Sequence, residues 1–310
     1  MVETIATVVV TYNRRQLVTQ CLEALIGQTR PVQRIILLDN ASADGTDRLL
    51  EERGYLTNPI IEYIRFPRNL GGAAGFREGM KRAYEAGYDW VWMMDDDVTP
   101  AADCLERLLE IHRESGGAYR ILQPARVDAE TGRTLHYATR YNFRNPFEFE
   151  GCDRIIPSEL NVPYAEIVSP PFEGPLIHRS VIADVGEVDS GFFMVCDDAD
   201  YFLRAYRKGF RPVVVRDAVM RRANAAKKAM FFDWKDYYTL RNRVELDRRY
   251  GGRWIAMTRV LHQALRLLVR SLSRKRRGKL QGCRLILRAL VDGLKGRRGE
   301  TVPPPGLLDP

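Results

Sequence analysis

The chain has 310 residues, of which 45% are apolar and 28% are charged. This length suffices for one large α/β domain with an appendage or for two modest domains, and the composition predicts a packed core and excludes wholesale disorder. The five cysteines are scattered without a C-x-x-C spacing, which is typical of small buried residues in a reducing compartment. No signal-peptide pattern or apolar run of about 20 residues is visible, so we expect a cytoplasmic protein.

Charge is unevenly distributed along the chain. Residues 253–298 carry 14 Lys or Arg against one acid, whereas the remainder carries 34 basic and 39 acidic residues. We therefore expect a mildly acidic body followed by a basic C-terminal arm. Apolar residues recur at helical spacing from Trp254 to Leu272, and the basic run Arg274–Arg277 follows.

Three interpretations of this arm are open. It is a helix packed on the body with a solvated basic face, a helix lying on an anionic membrane surface, or a nucleic-acid-binding segment. We rank the membrane surface first, at the inner face of the plasma membrane, and expect no nucleic acid. The last residues, 301–310, read as a disordered tail.

Strand and helix patterns alternate along the first hundred residues. The predicted strands are 6–13, 34–42, 61–66 and 90–98, and the predicted helices are 16–28, 44–54 and 71–87. This order predicts an α/β fold of Rossmann type, with a mostly parallel, doubly wound sheet and ligands at the C-terminal ends of its strands. Further strands are expected at 120–127, 166–174 and 212–215, and helices at 195–210 and 233–251.

Polar residues follow each early strand, which places them in one crevice. They are Thr11–Asn13, Asp39–Asn40, Arg68–Asn69 and Asp95–Asp97. The three consecutive carboxylates at Asp95–Asp97 would repel one another without a cation, and oxygen ligands suit Mg²⁺ or Mn²⁺. Side-chain alternation lets Asp95 and Asp97 point together while Asp96 points elsewhere. The simpler alternative is a solvated acidic turn that precedes a helix.

Two other motifs suit a nucleotide. Asp39 after the second strand can bind a ribose hydroxyl or a base N–H. The glycines of GGAAG (71–75) open a helix, where the backbone approaches a ligand closely and phosphate charge is favoured, although glycines also serve helix–sheet packing. Asp197 and Asp198 precede another helix, and either complements its dipole or acts as a general base; we favour Asp198, with Asp197 as the alternative.

Seven stretches occur in the order typical of one family. They are VVVTYNR (8–14), ILLDNASADGT (36–46), RNLGGAAGFREGM (68–80), WVWMMDDDVTP (90–100), FEGPLIHRSVIADVG (172–186), FFMVCDDADYFLRAYRKGF (192–210) and YYTLRNR (237–243). On these residues the chain resembles the inverting, GT-A-fold glycosyltransferases of family 2, in particular the branch of bacterial galactofuranosyl- and rhamnosyltransferases. The resemblance covers about 240 residues.

The resemblance implies a role for each matching position. The implied nucleoside-binding residues are Thr11, Tyr12, Asn13, Arg14 and Asp39, the implied donor-loop residues are Asn69, Gly71 and Gly72, and the implied metal pair is Asp95 and Asp97. Asp96 is expected beside the donor, and Asp198 is the implied catalytic base. Family members often place a histidine in the metal site after the strand that corresponds to PVVVRDAVM. Here Arg221 or Arg222 stands in that region; either could contact the diphosphate, and we assign Arg221 to donor binding.

These observations predict a metal-dependent glycosyltransferase in cell-surface polysaccharide synthesis. Its domain would span 1–250, with a donor half to about 115 and an acceptor half beyond, and a basic helical extension over 251–300. We expect a UDP or dTDP sugar as donor, UDP-galactofuranose before dTDP-rhamnose, and a glycan or polyprenyl-linked glycan as acceptor. The alternatives are a sugar-nucleotide nucleotidyltransferase, which usually has a glycine-rich loop after its first strand, and a non-catalytic nucleotide- or RNA-binding module.

Overall fold

The predicted alternation of strands and helices is present in the computed structural model, which describes residues 3–148, 151–223, 233–272 and 279–303. Its strands are β1 Ile5–Thr11, β2 Arg34–Asp39, β3 Ile61–Arg65, β4 Trp90–Asp95, β5 Val98–Pro100, β6 Ile121–Asp128, β7 Tyr137–Tyr141, β8 Gly151–Ile155, β9 Tyr164–Glu166, β10 Glu173–His178 and β11 Val213–Arg222. Its α-helices are α1 Arg15–Ile26, α2 Thr46–Glu52, α3 Gly72–Glu85, α4 Cys104–Glu114, α5 Arg179–Val185, α6 Asp197–Arg207, α7 Trp234–Leu246, α8 Gly252–Leu272 and α9 Lys279–Leu294.

The central sheet has the order β3-β2-β1-β4-β10-β6-β11-β5, and β9 pairs with β11. Strands β1 to β4, β6 and β11 run in one direction, whereas β5, β9 and β10 run in the other. The mostly parallel α/β fold is therefore confirmed. Strand β10 lies antiparallel between β4 and β6, which brings the second half of the chain to the centre of the sheet.

Helices cover both faces of the sheet, so its central strands are largely buried. All seven residues of β1 and the first five of β4 are buried. Helix α3 packs closely because it carries glycines: a Cβ at Gly75 would lie 2.8 Å from Val10 Cγ1, and one at Gly79 would lie 2.3 Å from Val8 Cγ1. Gly75 of the predicted glycine motif thus serves helix–sheet packing.

The C-terminal helices pack on the body around α7. Tyr238, Val260 and Ile286 belong to one buried cluster that also contains Phe193. The predicted disordered tail is wrong at its start, because the Tyr238 hydroxyl accepts from the Thr301 amide and donates to the Val302 carbonyl. Residues 304–310 lie outside the described part of the chain, as does the basic run Arg274–Arg277. No helix among the described residues is long and apolar enough to cross a bilayer.

Candidate active site

The loops after β1 and β2 are joined into one wall at the carboxyl edge of the sheet. The Asn13 amide donates to Ser42 Oγ at 2.9 Å, and the Ala43 amide donates to Asn13 Oδ1 at 2.7 Å. Asn13 takes a left-handed φ of 53°, which asparagine tolerates better than most residues. Tyr12 is partly exposed and Asn13 is exposed, so both are accessible to a ligand in the crevice.

The acidic turn is bound by an arginine from the first loop. Arg14 Nη1 lies 2.9 Å from Asp96 Oδ1 and 3.0 Å from Asp97 Oδ2, and the Thr11 hydroxyl donates to Asp96 Oδ2 at 2.6 Å. Both oxygens of Asp96 are therefore occupied within the chain, and Thr11 is buried beneath them. The predicted separation of Asp96 from Asp97 is wrong, because β4 ends at Asp95 and the turn brings Asp96 and Asp97 to the same guanidinium. The pairing of Asp95 with Asp97 stays a prediction.

The remaining carboxylate atoms of this turn are suited to a cation. Asp97 Oδ1 is buried, and no atom of the described residues donates to it. Burial, together with the charges of Asp97 and Asp96, raises the pKa of Asp95 well above its usual range. A cation that prefers oxygen ligands would give Asp97 Oδ1 a partner and would offset the like-charge repulsion at Asp95. Within the described ranges, no group of three or more His, Cys, Asp or Glu side chains could hold a metal ion.

Both carboxylate oxygens of Asp39 accept hydrogen bonds from neighbouring residues of the chain. Its Oδ1 accepts from the Ser42 amide at 2.8 Å, its Oδ2 accepts from the Tyr63 hydroxyl at 2.6 Å, and the residue is fully buried. Burial and the Asp39 carboxylate raise the pKa of Tyr63. The structure thus gives Asp39 the task of shaping the β2–α2 loop, and its direct contact with a nucleoside stays a prediction.

The glycine loop contacts the segment that leads into α6. Asn69 Oδ1 accepts from the Gly71 amide at 2.8 Å, and the Ala73 amide donates to the Phe193 carbonyl at 3.1 Å. Gly71 has a φ of 86°, and a Cβ there would lie 2.1 Å from Phe193 O. A Cβ at Gly72 would meet no heavy atom within 4 Å. Of the two glycines, Gly71 is required by the fold, and Gly72 leaves open space at the helix start.

We expect Gly71→Ala to lower the free energy of unfolding by about 1–3 kcal/mol, the usual cost of overpacking, and to reduce activity because Phe193 must move. Gly72→Ala is the matched control and should stay within about 0.5 kcal/mol of the unchanged protein or become more stable. Chemical denaturation of both variants measures the difference. Equal stabilities would contradict the packing described here.

The carboxylates Asp197 and Asp198 begin α6, as predicted. Asp197 is buried, and burial followed by the charge of Asp198 raises its pKa. Asp198 is partly exposed, and its Oδ1 accepts from the Ala199 amide at 2.7 Å. Burial also raises the pKa of Asp198, with a contribution from Glu173. The accessible carboxylate of the pair is therefore Asp198, which suits it better for contact with an acceptor.

A third acidic group, Glu173 at the start of β10, was missed in the sequence. It pairs with Met94 directly before the acidic turn, and its charge raises the pKa of both Asp95 and Asp198. Its Oε2 lies 2.6 Å from Arg126 Nη1, and its Oε1 lies 3.2 Å from Arg222 Nε. The signal available in the sequence was a lone acid inside the apolar run FEGPLI.

The arginine assigned to donor binding is placed differently from its neighbour. Arg221 is exposed and pairs with Thr99 at the sheet edge, where its carbonyl accepts from the Thr99 hydroxyl. Arg222 points to the opposite face of β11 and reaches Glu173. Of the two arginines, the structure therefore brings Arg222 to Glu173, and the assignment of Arg221 to donor binding stays a prediction.

Such an acidic crevice at the carboxyl edge of a doubly wound sheet suits transfer from an anionic donor, and the surrounding architecture is the GT-A fold of glycosyltransferases. The chain belongs to glycosyl transferase family 2, whose family model matches residues 7–163. The match covers half of the chain and includes the first wall of the crevice, the glycine loop and the acidic turn.

Named relatives and solved structures agree with this assignment. The chain is 39% identical over 101 residues to galactofuranosyltransferase GlfT1 of Mycolicibacterium smegmatis, covering 32% of each protein. It is 28% identical over 218 residues to GlfT1 of Mycobacterium tuberculosis, covering 67% of this chain and 66% of that one. The matches therefore span less than two thirds of these relatives' lengths.

Two solved structures share the fold at low sequence identity. S. aureus TarS 1–349 in complex with UDP-GlcNAc has a TM-score of 0.57 at 15% identity and covers 94% of this chain and 81% of its own. GalNAc-T7 with UDP, GalNAc and Mn²⁺ has a TM-score of 0.59 at 13% identity, covering 78% of this chain and 48% of its own. These likenesses support the fold.

Proposed function

We propose that this protein is an inverting glycosyltransferase that moves a sugar from a nucleotide-sugar donor to a hydroxyl of a glycan or polyprenyl-linked glycan in cell-surface polysaccharide synthesis. One observation carries the proposal: the acidic turn holds a buried carboxylate oxygen, Asp97 Oδ1, that is unsatisfied among the described residues. Glu173 pairs with Met94 directly before this turn, and its charge raises the pKa of both Asp95 and Asp198. The acidic turn would take the charged leaving group, and the partly exposed carboxylate of Asp198 would accept the proton.

The chain's own groups divide the chemistry between them. Asp198 accepts the proton of the acceptor hydroxyl as its oxygen attacks the anomeric carbon, and the carbon–oxygen bond to the nucleoside diphosphate breaks with inversion. Tyr12 and Asn13 line the nucleoside side, and Gly72 leaves the start of α3 open to the diphosphate. Asp197, buried behind Asp198, helps to fix the start of α6.

Asp95 and Asp97 would hold Mn²⁺ or Mg²⁺, which neutralises charge on the departing diphosphate when bound. Two carboxylates with donor oxygens in the remaining positions are a usual environment for Mg²⁺. Arg14 already contributes a positive charge to Asp96 and Asp97. The arginine therefore lowers the repulsion that the acidic turn experiences before a donor and its cation arrive.

Our first choice of donor is UDP-galactofuranose, because the chain is similar to galactofuranosyltransferase GlfT1. Our second choice is dTDP-rhamnose. The deciding experiment screens UDP- and dTDP-sugars by thermal shift with and without Mn²⁺, then measures nucleoside diphosphate release with glycan acceptors. Release that depends on acceptor supports transfer. Formation of a sugar nucleotide from a sugar phosphate would favour a nucleotidyltransferase, and donor binding without turnover would favour a non-catalytic module.

We also propose that the C-terminal extension docks on an anionic membrane surface. On α8, Ile255, Ala256 and Val260 face the body and are buried, whereas a separate stripe faces outward. The stripe consists of Trp254, Met257, Leu261 and Leu265, each between 49% and 73% exposed. Arg253 and Arg266 beside it are exposed, so the free face of α8 is both apolar and basic.

The nearby β7–β8 loop extends this surface. Phe147 is 76% exposed, and its ring contacts His262 of α8 edge-on at 6.1 Å. Arg259, a basic residue of the same helix, is buried and holds α8 to this loop by donating to the Asn145 carbonyl at 2.9 Å. The docking face therefore joins the helical extension to the acceptor half of the predicted domain.

Binding to vesicles containing anionic lipid should weaken steeply as salt rises, because each basic residue near the surface contributes about 1 kcal/mol that salt screens. The triple change Trp254→Ser, Leu261→Ser and Leu265→Ser should abolish binding without unfolding. Leu56→Ser with Val162→Ser removes exposed apolar groups elsewhere and should leave binding unchanged.

The charge change Arg253→Gln with Arg266→Gln should weaken vesicle binding and leave the melting temperature unchanged, because both side chains are exposed. No vesicle binding by the intact protein at low salt would end the membrane proposal. A concentration-dependent dimer that the serine changes abolish would instead assign the stripe to a second copy of this chain.

A further inference from the structure

The segment that leads into α6 has an unusual backbone. Phe193, Val195 and Cys196 have φ angles of 65°, 64° and 68°, in a region that residues other than glycine seldom enter. For a β-branched residue such as Val195 this conformation is a genuine outlier. A loop of this kind keeps its shape only where its surroundings fix it, and such loops concentrate at functional sites.

One side chain of α7 fixes this loop. Asn242 Nδ2 lies 3.0, 2.7 and 2.8 Å from the carbonyl oxygens of Phe192, Met194 and Val195, to which it donates. Arg241 Nε donates to Asn242 Oδ1 at 2.8 Å, which orients the amide so that its nitrogen faces the loop. Both residues are 1% exposed. The pair is thus a buried clamp on three carbonyls of one short segment.

The clamped loop connects two parts of the candidate active site. Its Phe193 carbonyl accepts a hydrogen bond from the amide of Ala73, two residues after Gly71, and α6 begins with Asp197 directly after Cys196. Any movement of the loop therefore changes the spacing between the glycine loop and Asp198. Neither Arg241 nor Asn242 contacts the crevice carboxylates in the interactions described above, so their influence is through position.

We propose that Arg241 and Asn242 are positioning residues that hold Asp198 at its working distance from the glycine loop. The proposal rests on the proposed function, in which Asp198 is the base. Arg241 also donates to the Gly299 carbonyl at 2.7 Å, and the Gly299 amide donates to the Gly191 carbonyl at 2.7 Å. The segment after α9 is therefore part of the same support, far along the chain from the residues it helps to place.

The test compares Asn242→Ala with Gln28→Ala. Gln28 is also a buried side-chain amide with hydrogen bonds to backbone groups. It donates to the Ala24 and Ala101 carbonyls and accepts from the Leu105 amide. It lies just after the C-terminal end of α1, whereas the candidate site lies at the N-terminal end of that helix. Asn242→Ala should lower kcat about 10- to 100-fold, because small misplacements of reacting groups carry penalties of that size. Its KM for the donor should stay within about threefold. Gln28→Ala should lower the melting temperature as much as Asn242→Ala does, yet leave kcat and the KM for the donor near their original values.

Hydrogen exchange supplies a readout that does not require activity. In Asn242→Ala the amides of residues 193–199 and 71–75 should exchange about tenfold faster together, with no such change in Gln28→Ala. If Asn242→Ala does not fold, Asn242→Ser retains one donor and should show the same effects at smaller size. Equal kcat losses in the two alanine variants, or unchanged exchange in both segments, would overturn the proposal. Absence of transfer by the unaltered protein would instead overturn the proposed function, and exchange would then decide whether the clamp exists.

Discussion

Asp198→Asn is expected to reduce kcat by about 10²–10⁴ while donor binding is retained, because the amide cannot accept the proton of the acceptor hydroxyl. Asp197→Asn should be less damaging, since Asp197 is buried behind Asp198. Asp184→Asn, an exposed carboxylate on α5, is the control and should be unchanged. Steady-state kinetics with isothermal titration of the donor separates these outcomes. A crippled Asp197→Asn beside a near-normal Asp198→Asn would reverse the assignment.

The pH dependence of the same reaction tests the environment of the base. Burial, and further the charge of Glu173, raises the pKa of Asp198, whereas the Ala199 amide and Arg126 lower it. A base works when deprotonated, so kcat/KM should decline as pH falls through a pKa above the usual aspartate value of about 3.9. Glu173→Gln removes a negative charge and should move this decline to lower pH. Movement to higher pH would contradict the arrangement.

Asp97→Ala is expected to abolish transfer and to remove the dependence of donor binding on Mn²⁺. The reason is the loss of a carboxylate oxygen that no other described residue satisfies. The melting temperature should be retained or rise, because the change also removes like-charge repulsion in the acidic turn. Thermal shift with UDP, with and without Mn²⁺, gives a readout independent of turnover.

The control for this change is Asp217→Ala, which removes an exposed carboxylate from β11. It should preserve activity and the effect of Mn²⁺ on donor binding. Full activity of Asp97→Ala in the presence of EDTA would refute the metal assignment. A loss of activity accompanied by an equal loss of stability in both variants would indicate damage to the fold instead.

The first half of the fold was predictable because each strand is short, apolar and followed by a helix with clear periodicity. The uninterrupted apolar run WVWMM before Asp95 is typical of a central strand with both faces buried. Four parallel strands of this kind define the sheet edge at which ligands bind. The position of β10 was not predictable, because an antiparallel insertion between β4 and β6 depends on contacts more than 50 residues apart along the chain.

The sequence predicted which motifs follow the strands, but it did not predict the directions of their side chains. The turn at Asp95–Asp97 was expected to alternate like a strand, yet the strand ends at its first residue. The contact of Arg222 with Glu173 was not predictable, because the faces of β11 to which Arg221 and Arg222 point depend on the pairing of that strand. Asn242 lies in the stretch YYTLRNR, but the sequence gave it no role, since its hydrogen bonds go to carbonyl groups of a loop nearly 50 residues earlier.

The apolar stripe of α8 shows a second limit of prediction from sequence. Its spacing identified a helix with one apolar face, but spacing cannot say whether that face turns inward or outward. The structure turns Leu261 and Leu265 outward and buries Val260. Arg259 lies on the buried side because it bonds to Asp247 and to main-chain carbonyls.

The insertion of β10 has a consequence for how the protein is made. A nascent chain that has left the ribosome only as far as residue 163, where the family match ends, has β1 on one side of β4 but lacks β10, which pairs with its other side. Until β10 emerges, the main-chain groups of β4 along Trp90–Met94 form an open apolar edge, which is a template for aggregation. Protection of that edge during synthesis, by a chaperone or by rapid arrival of the next residues, therefore becomes a requirement of this topology.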